Sequence, residues 1–139
     1  MLSFLLRVGA GRDELKGNKG ADTLEGGLGR DFLYAGVDND VDTFVFRDLE
    51  DSGRGRNSDQ IFQFDSGEDK IDLQFIDANT LLVGDQSFEF SEGRAAHSIW
   101  VKETKRDLLV RGDVDGDARH DFEIVLNNLS DISEYDFIL

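Results

Sequence analysis

From residue 8 to residue 43 the chain repeats itself every nine residues, in the blocks VGAGRDELK, GNKGADTLE, GGLGRDFLY and AGVDNDVDT. Asp fills one column at Asp13, Asp22, Asp31 and Asp40, and Leu fills another at Leu15, Leu24 and Leu33. Gly recurs at Gly11, Gly20 and Gly29, with Asp38 next in that column; a further column holds Gly9, Asn18, Gly27 and Gly36. A flexible Gly/Asp-rich linker needs no buried residue at every ninth position, so the Leu column argues for a packed structure. The pattern predicts a parallel β-roll. About six residues of each repeat turn, about three form a short strand, and two repeats close one coil. Leu15 and Leu33 then stack on one side of the coil, and Leu24 on the other.

Such turns have a chemistry of their own. A Gly-rich turn can aim several carbonyl oxygens inward, and Asp adds a hard anionic oxygen; Ca²⁺ takes six to eight such oxygens. Asn18 and Asp38 stand where the other repeats have Gly, and both residue types tolerate left-handed backbone better than most. Val8 replaces the first Gly of its repeat, which is costly if that position needs a positive φ. The fourth repeat puts Asp42 in the apolar column. A two-residue slip would make Asp42-Thr43-Phe44 the Asp-x-apolar triplet, so Asp40 and Asp42 are rival ligands.

These residues resemble the Gly-Gly-x-Gly-x-Asp-x-apolar-x repeat of RTX proteins. The resemblance implies a calcium ion between turns two repeats apart, pairing Asp13 with Asp31 and Asp22 with Asp40. The implied ligand set is Gly9, Gly11, Asp13, Asn18, Gly20, Asp22, Gly27, Gly29, Asp31, Gly36, Asp38, Asp40 and Asp42. Two coils make a minimal roll, and further repeats are expected upstream.

After Phe44 the repeat gives way to a polar loop (47–58) and then to alternating segments around Ile61 and around Ile71 and Leu73. Further strands are predicted at 88–90, 98–102, 108–111, 122–126 and 135–139, with short helical turns at 77–80 and 130–134. The fold expectation is all-β. A parallel β-roll over 9–43 continues into a β-sandwich-like part over 44–139, within one module spanning 1–139. Asp42–Phe46, Gly67–Leu73, Gly112–Asp117 with Asp121-Phe122, and Asp136–Leu139 are similar to the C-terminal domain of serralysin-type metalloproteases. That family's domain follows a zinc protease, binds calcium and ends in an uncleaved signal for type I secretion. The resemblance places the signal at Asp136, Phe137, Ile138 and Leu139. Gln63 departs from the family's usual Asp, which weakens a ligand role near Asp59 and Phe64.

A second acidic loop spaces Asp113, Asp115, Asp117 and Asp121 at positions 1, 3, 5 and 9. One hard cation fits such spacing. It is no EF-hand, because position 6 is Ala118 and position 12 is Ile124. It is similar to the shorter Asp-rich loops of integrin-type propeller repeats. The competing reading is a solvated acidic hairpin with Arg111 and Arg119 as partial counter-ions.

Composition narrows the function. The 139 residues carry 30 acidic and 15 basic side chains, a net charge of −15, which disfavours nucleic acid and anionic membranes. With no Cys there is no disulfide and no thiolate chemistry. No apolar run reaches the roughly 20 residues of a membrane span. The start, Met1–Ala10, lacks the basic region and cleavage site of a signal peptide. His97 and His120 are the only histidines, and neither His-Glu-x-x-His nor Gly-x-Ser-x-Gly occurs. His120 reads as a surface residue and Trp100 as a core residue.

With these features, the resemblance implies a non-catalytic, secreted, extracellular module, exported by a Gram-negative type I exporter without an N-terminal signal peptide. It binds calcium, folds on doing so, and supports a larger enzyme whose catalytic domain lies upstream, a serralysin-like zinc protease by resemblance. The alternative is a glycan-binding accessory module, as RTX-containing alginate epimerases suggest, with Arg94, Lys102, Lys105 and Arg106 as a basic patch.

Overall fold

The computed structural model describes residues 3–139; Met1 and Leu2, where the apolar start begins, lie outside the described residues. Seven short strands coil in succession: β1 (Leu5–Arg7), β2 (Glu14–Lys16), β3 (Thr23–Glu25), β4 (Phe32–Tyr34), β5 (Thr43–Val45), β6 (Asp59–Phe62) and β7 (Lys70–Asp72). Odd strands enter one sheet and even strands the other, so strands two steps apart pair in parallel. Leu15 lies opposite Leu33, Leu24 opposite Phe44, and Phe44 opposite Ile71. In a pleated triplet only the middle side chain can face inward. Leu15, Leu24, Leu33, Phe44 and Ile71 are these middle residues, and all are buried.

The roll is longer than the nine-residue period. It starts at β1, ahead of the first clear repeat, and runs on through β6 and β7. The remaining strands extend the same two sheets, in the sandwich-like continuation of the roll that the sequence predicts. They are β8 (Glu89–Phe90), β9 (Ser98–Glu103), β10 (Leu108–Gly112), β11 (Phe122–Leu126) and β12 (Phe137–Ile138). β11 adds to β6 in parallel and β12 adds to β7 in parallel, while β9, β10 and β11 form an antiparallel meander. One core therefore runs from Leu15 to Phe137.

Local departures have local causes. The 77–80 segment forms no helix, because Ala78 N–H donates to Gln86 and Thr80 N–H to Val114 across loops. The helical turn expected at 130–134 is a 3₁₀ turn at Glu134–Asp136, started by Ser133. The polar loop holds two more 3₁₀ turns, Leu49–Asp51 and Gly55–Asn57, the first fixed by a capping box between Asp48 and Asp51.

Stacked turns approach too closely for side chains at some positions. A Cβ on Gly29 would sit 1.9 Å from the Gly11 carbonyl oxygen, and its φ of +117° is hostile to any L side chain. Asn18 takes the left-handed form with φ 65°, as its residue type allows, but Asp38 is not among the positive-φ residues. The first position of the repeat does not need a positive φ, so Val8 is tolerated there. In the third repeat the same position lacks room instead: a Cβ on Gly26 would lie 2.3 Å from Asp31 Oδ2.

Gly29→Ala is expected to lower the unfolding free energy by more than about 1 kcal/mol, since a steric clash adds to the left-handed penalty. Gly9→Ala, with nothing within 4 Å of its Cβ, is expected to be close to neutral. Urea melts of both variants check this; equal midpoints would contradict the close-stacked turns.

Candidate metal centre

Aspartates from successive coils form two ladders along the roll. In one, Asp13 N–H donates to Asp31 Oδ1 (2.8 Å) and Asp31 N–H donates to Asp59 Oδ1 (2.8 Å). In the other, Asp22 N–H donates to Asp42 Oδ1 (2.9 Å) and Asp42 N–H donates to Asp69 Oδ1 (2.9 Å). Phe4 N–H continues the second ladder onto Asp22 Oδ1. A hydrogen bond to an ionised group is worth roughly 1.5–3 kcal/mol, so these bonds hold the coils in register. Each consumes only one carboxylate oxygen.

The other oxygen is the unusual feature. Oδ2 of Asp13, Asp22, Asp31 and Asp59 is buried with no hydrogen-bond partner among the described residues. Leaving such an acceptor unpaired costs about 1–3 kcal/mol, and more when it is charged. The space around these atoms is lined by oxygen. The point where a Cβ would stand on Gly17 is 2.9 Å from Ala35 O and 3.0 Å from Asp22 Oδ2. The corresponding point on Gly27 is 2.8 Å from Gly9 O and 3.1 Å from Val8 O. Carboxylate and carbonyl oxygens in a Gly-walled cradle fit a hard cation such as Ca²⁺. Asp69 differs: both its oxygens accept N–H groups, from Asp42 and Asp65, so it closes its ladder.

Of Asp40 and Asp42, the structure places Asp42 in the ladder. Asp42 stands in the ladder and is buried, whereas Asp40 is only half-buried and bonds through its backbone to Asp38. Asp22 therefore pairs with Asp42, not with Asp40, because the fourth repeat carries two extra residues before its strand. Asp38 instead accepts Gly20 N–H from the coil before, at 3.0 Å. Asp13 and Asp31 are neighbours in one ladder, with Gly11 bridged to Gly29 beside them. Gly36 stacks on Asn18, its Cβ position 2.1 Å from Asn18 O.

Asp59 and Asp69 are the rungs that the nine-residue period misses. Their signal in the sequence is the same Asp-x-apolar triplet, Asp59-Gln60-Ile61 and Asp69-Lys70-Ile71, freed from the period by loops of other lengths. Gln63 does not disturb Asp59; its side chain accepts Gly36 N–H.

In the second loop, Asp113 is fully buried. Its Oδ2 accepts N–H from His97 (2.9 Å) and Gly116 (3.0 Å), and its Oδ1 is buried without a partner. Carboxylate oxygens of Asp113, Asp115 and Asp117 lie within 4.8 Å of one another. Burial pushes Asp113 up, but bonds from His97, Asp115 and Gly116 outweigh it and hold the carboxyl below its ordinary value. Asp121 turns aside to accept Val114 N–H and brace the loop base. Ala118 does adopt the left-handed form, φ 60°, that Gly would favour. The counter-ion reading fails for Arg111, whose Nε–H bonds Glu123 at 2.8 Å instead. His120 lies 3.7 Å from the same Glu123 and outside the Asp cluster.

At the C-terminus, Asp136 is buried and accepts N–H from Gly67 and Ser133 and the Ser66 hydroxyl. Burial opposes ionisation, but these bonds and nearby Lys70 hold its carboxyl below the usual range. It carries Phe137 and Ile138 into β12 beside β7, while Leu139 packs against the core. The basic patch is divided. Arg94 lines one pocket with Arg54, Trp100 and Arg119, while Lys105 and Arg106 line another. Trp100 is buried, as the sequence expectation had it, on the other side of the sheet from the main core cluster.

The family described as peptidase M10 serralysin C terminal matches residues 9–139. The fold is similar to two solved parts of a mannuronan C5-epimerase from Azotobacter vinelandii. The AlgE6R2 subunit is 22% identical, with 99% of this chain and 92% of that one covered and a TM-score of 0.66. The AlgE6R3 subunit is 24% identical, with coverage of 98% and 77% and a TM-score of 0.63. No curated protein matches the chain.

Without metal, the ladder carboxyls favour protons. Burial, with added repulsion between neighbouring aspartates, raises Asp31 to about 6, Asp42 to about 7 and Asp59 to about 8 against the ladder bonds that lower them. Groups raised in the folded state stabilise it below the unfolded value near 4, and that contribution fades as pH climbs through 6 to 8. The metal-free chain is therefore expected to melt at a higher temperature at pH 5 than at pH 8. Thermal scans after exhaustive chelation check this; a higher melting temperature at pH 8 would contradict it.

Proposed function

The chain belongs to the peptidase M10 serralysin C-terminal family, and on that premise we propose that it is a calcium-binding, non-catalytic module that folds on binding calcium. In this reading it directs type I secretion and folding of a larger secreted enzyme, a serralysin-like zinc metalloprotease. The observation that carries the calcium reading is the set of buried, partnerless Oδ2 atoms on Asp13, Asp22, Asp31 and Asp59.

Bound calcium supplies positive charge where the carboxylates are densest. The chain's own residues do the rest. Ladder N–H groups hold one oxygen of Asp22, Asp31 and Asp59 and leave the other for the cradle, which turn carbonyls line. Asp113, with Asp115 and Asp117 close by, would hold a further ion. One buried Leu per repeat contributes about 1.5–3 kcal/mol, less than the backbone entropy of ordering nine residues. In a low-calcium cytosol the roll is then loosely structured, as passage through an exporter requires. Outside the cell, where comparable modules bind calcium with Kd of about 10⁻⁴–10⁻³ M, the ion completes the fold.

The glycan-binding alternative draws its support from the likeness in fold to the epimerase subunits, and the division of its basic patch counts against it.

Calorimetry is expected to show Ca²⁺ binding far more tightly than Mg²⁺, which demands a tighter octahedron. Asp31→Asn keeps an acceptor for the ladder but removes charge, and is expected to weaken calcium binding by about tenfold or more. Chelation should remove hydrogen-exchange protection from the coils of β2–β5 before that of β9–β11. Unchanged protection in the coils after complete calcium removal would overturn the folding switch.

Removing residues 136–139 is expected to abolish type I export of a fused passenger. Normal secretion of the truncated chain would place the signal elsewhere.

A further inference from the structure

On the outer face of the second sheet, Trp100, Arg111 and Glu123 stand in one cross-strand row over β9, β10 and β11. Glu123 is buried and bonds Arg111 at 2.8 Å, so that pair is neutral. Above the row opens a pocket of about 330 Å³, lined by Arg54, Arg94, Trp100, Arg111, Arg119 and His120, with no carboxylate in its wall. Arg54, Arg94 and Arg119 make no ion pair among the described residues.

This is anomalous for the chain. It carries twice as many acids as bases, and yet three exposed guanidiniums gather from three separate segments and meet none. Like charges brought together repel unless an anion joins them. Arg94 is also pre-positioned, its Nε–H held by Ala118 O at 3.0 Å. That bond leaves its two terminal nitrogens free to donate. Trp100 beneath is only 4% exposed although it lies off the main core, which makes it a dry floor. A planar carboxylate is satisfied by one guanidinium fork. Three forks from three directions suit a group with an oxygen for each of them.

We propose that Arg54, Arg94 and Arg119, over the Trp100 floor, form a binding site for a tetrahedral oxyanion, a sulfate or phosphate group that is free or carried as an ester. The site is independent of the calcium cradles and adds a ligand of opposite charge to the opposite side of the second sheet from the core.

Trp100 is the single tryptophan, so its fluorescence reads the pocket directly. The full chain in calcium buffer is titrated with sodium sulfate, and separately with a galactose sulfate ester, against sodium chloride at matched ionic strength. A saturable change with sulfate and none with chloride is expected. The Arg54→Gln/Arg119→Gln double variant, and to a lesser degree Arg54→Gln alone, should bind about tenfold more weakly or worse, with an unchanged circular dichroism spectrum. Lys102→Gln/Lys105→Gln, outside the pocket, should titrate like the parent chain. Binding of the ester as tight as that of free sulfate identifies the ligand as a sulfated molecule, and binding of free sulfate alone identifies an ion site. A sulfate response that tracks chloride, or a double variant with an unaltered midpoint, overturns the proposal.

Discussion

The structure depends on one interaction repeated along the roll, an aspartate carboxylate accepting the backbone N–H of an aspartate one coil earlier. That bond does two jobs. It fixes the register of coils whose strands are only three or four residues long, and so too short to fix it by ladder bonds alone. In Asp31 and Asp59 it also leaves the second oxygen buried in the turn, where no group among the described residues answers it. In the proposed function, stability and affinity for a cation thus come from the same side chain. A mutation that removes the carboxylate strikes both.

The ladders end differently, and their ends explain how the roll is closed. Asp69 has both oxygens taken by N–H groups, and the next element on that side is β12, tied down by Asp136. On the other side Asp59 N–H is capped by the Ser52 hydroxyl, and the antiparallel meander takes over the sheet from β6. The chain's last strand is therefore a structural neighbour of the final coil. In the folded protein that segment is an edge strand whose acid, Asp136, has both oxygens bonded.

Charge is sorted in the same way. The aspartates that crowd the turns are bound by backbone N–H groups, which orient them but leave their charge uncancelled. Glu25 and Glu123, by contrast, are buried against arginines: Arg7 and Arg47 for the first, Arg111 for the second. Arg54, Arg94 and Arg119 near Trp100 have no such partner among the described residues. A chain that carries a net charge of −15 thereby presents one compact positive surface.

The sequence by itself determined the roll, its alternation of strands between two sheets, and the identity of most inward residues, because a nine-residue period admits few other packings. It also marked Asp13, Asp22 and Asp31, since each lies in a column with a fixed distance to its buried Leu. It left Asp40 and Asp42 open, and only the register of β5 on β3 put Asp42 in the ladder. Asp59 and Asp69 became rungs through tertiary structure alone: loops of unequal length return their triplets to the ladders, and no period survives such loops. The same holds for the arginine pocket. Arg54, Arg94 and Arg119 are scattered along the chain, and the folding of the meander against the 3₁₀ loop is what brings three unpaired cations over one tryptophan. A short period is legible in sequence because it is local; a site assembled from distant segments is not.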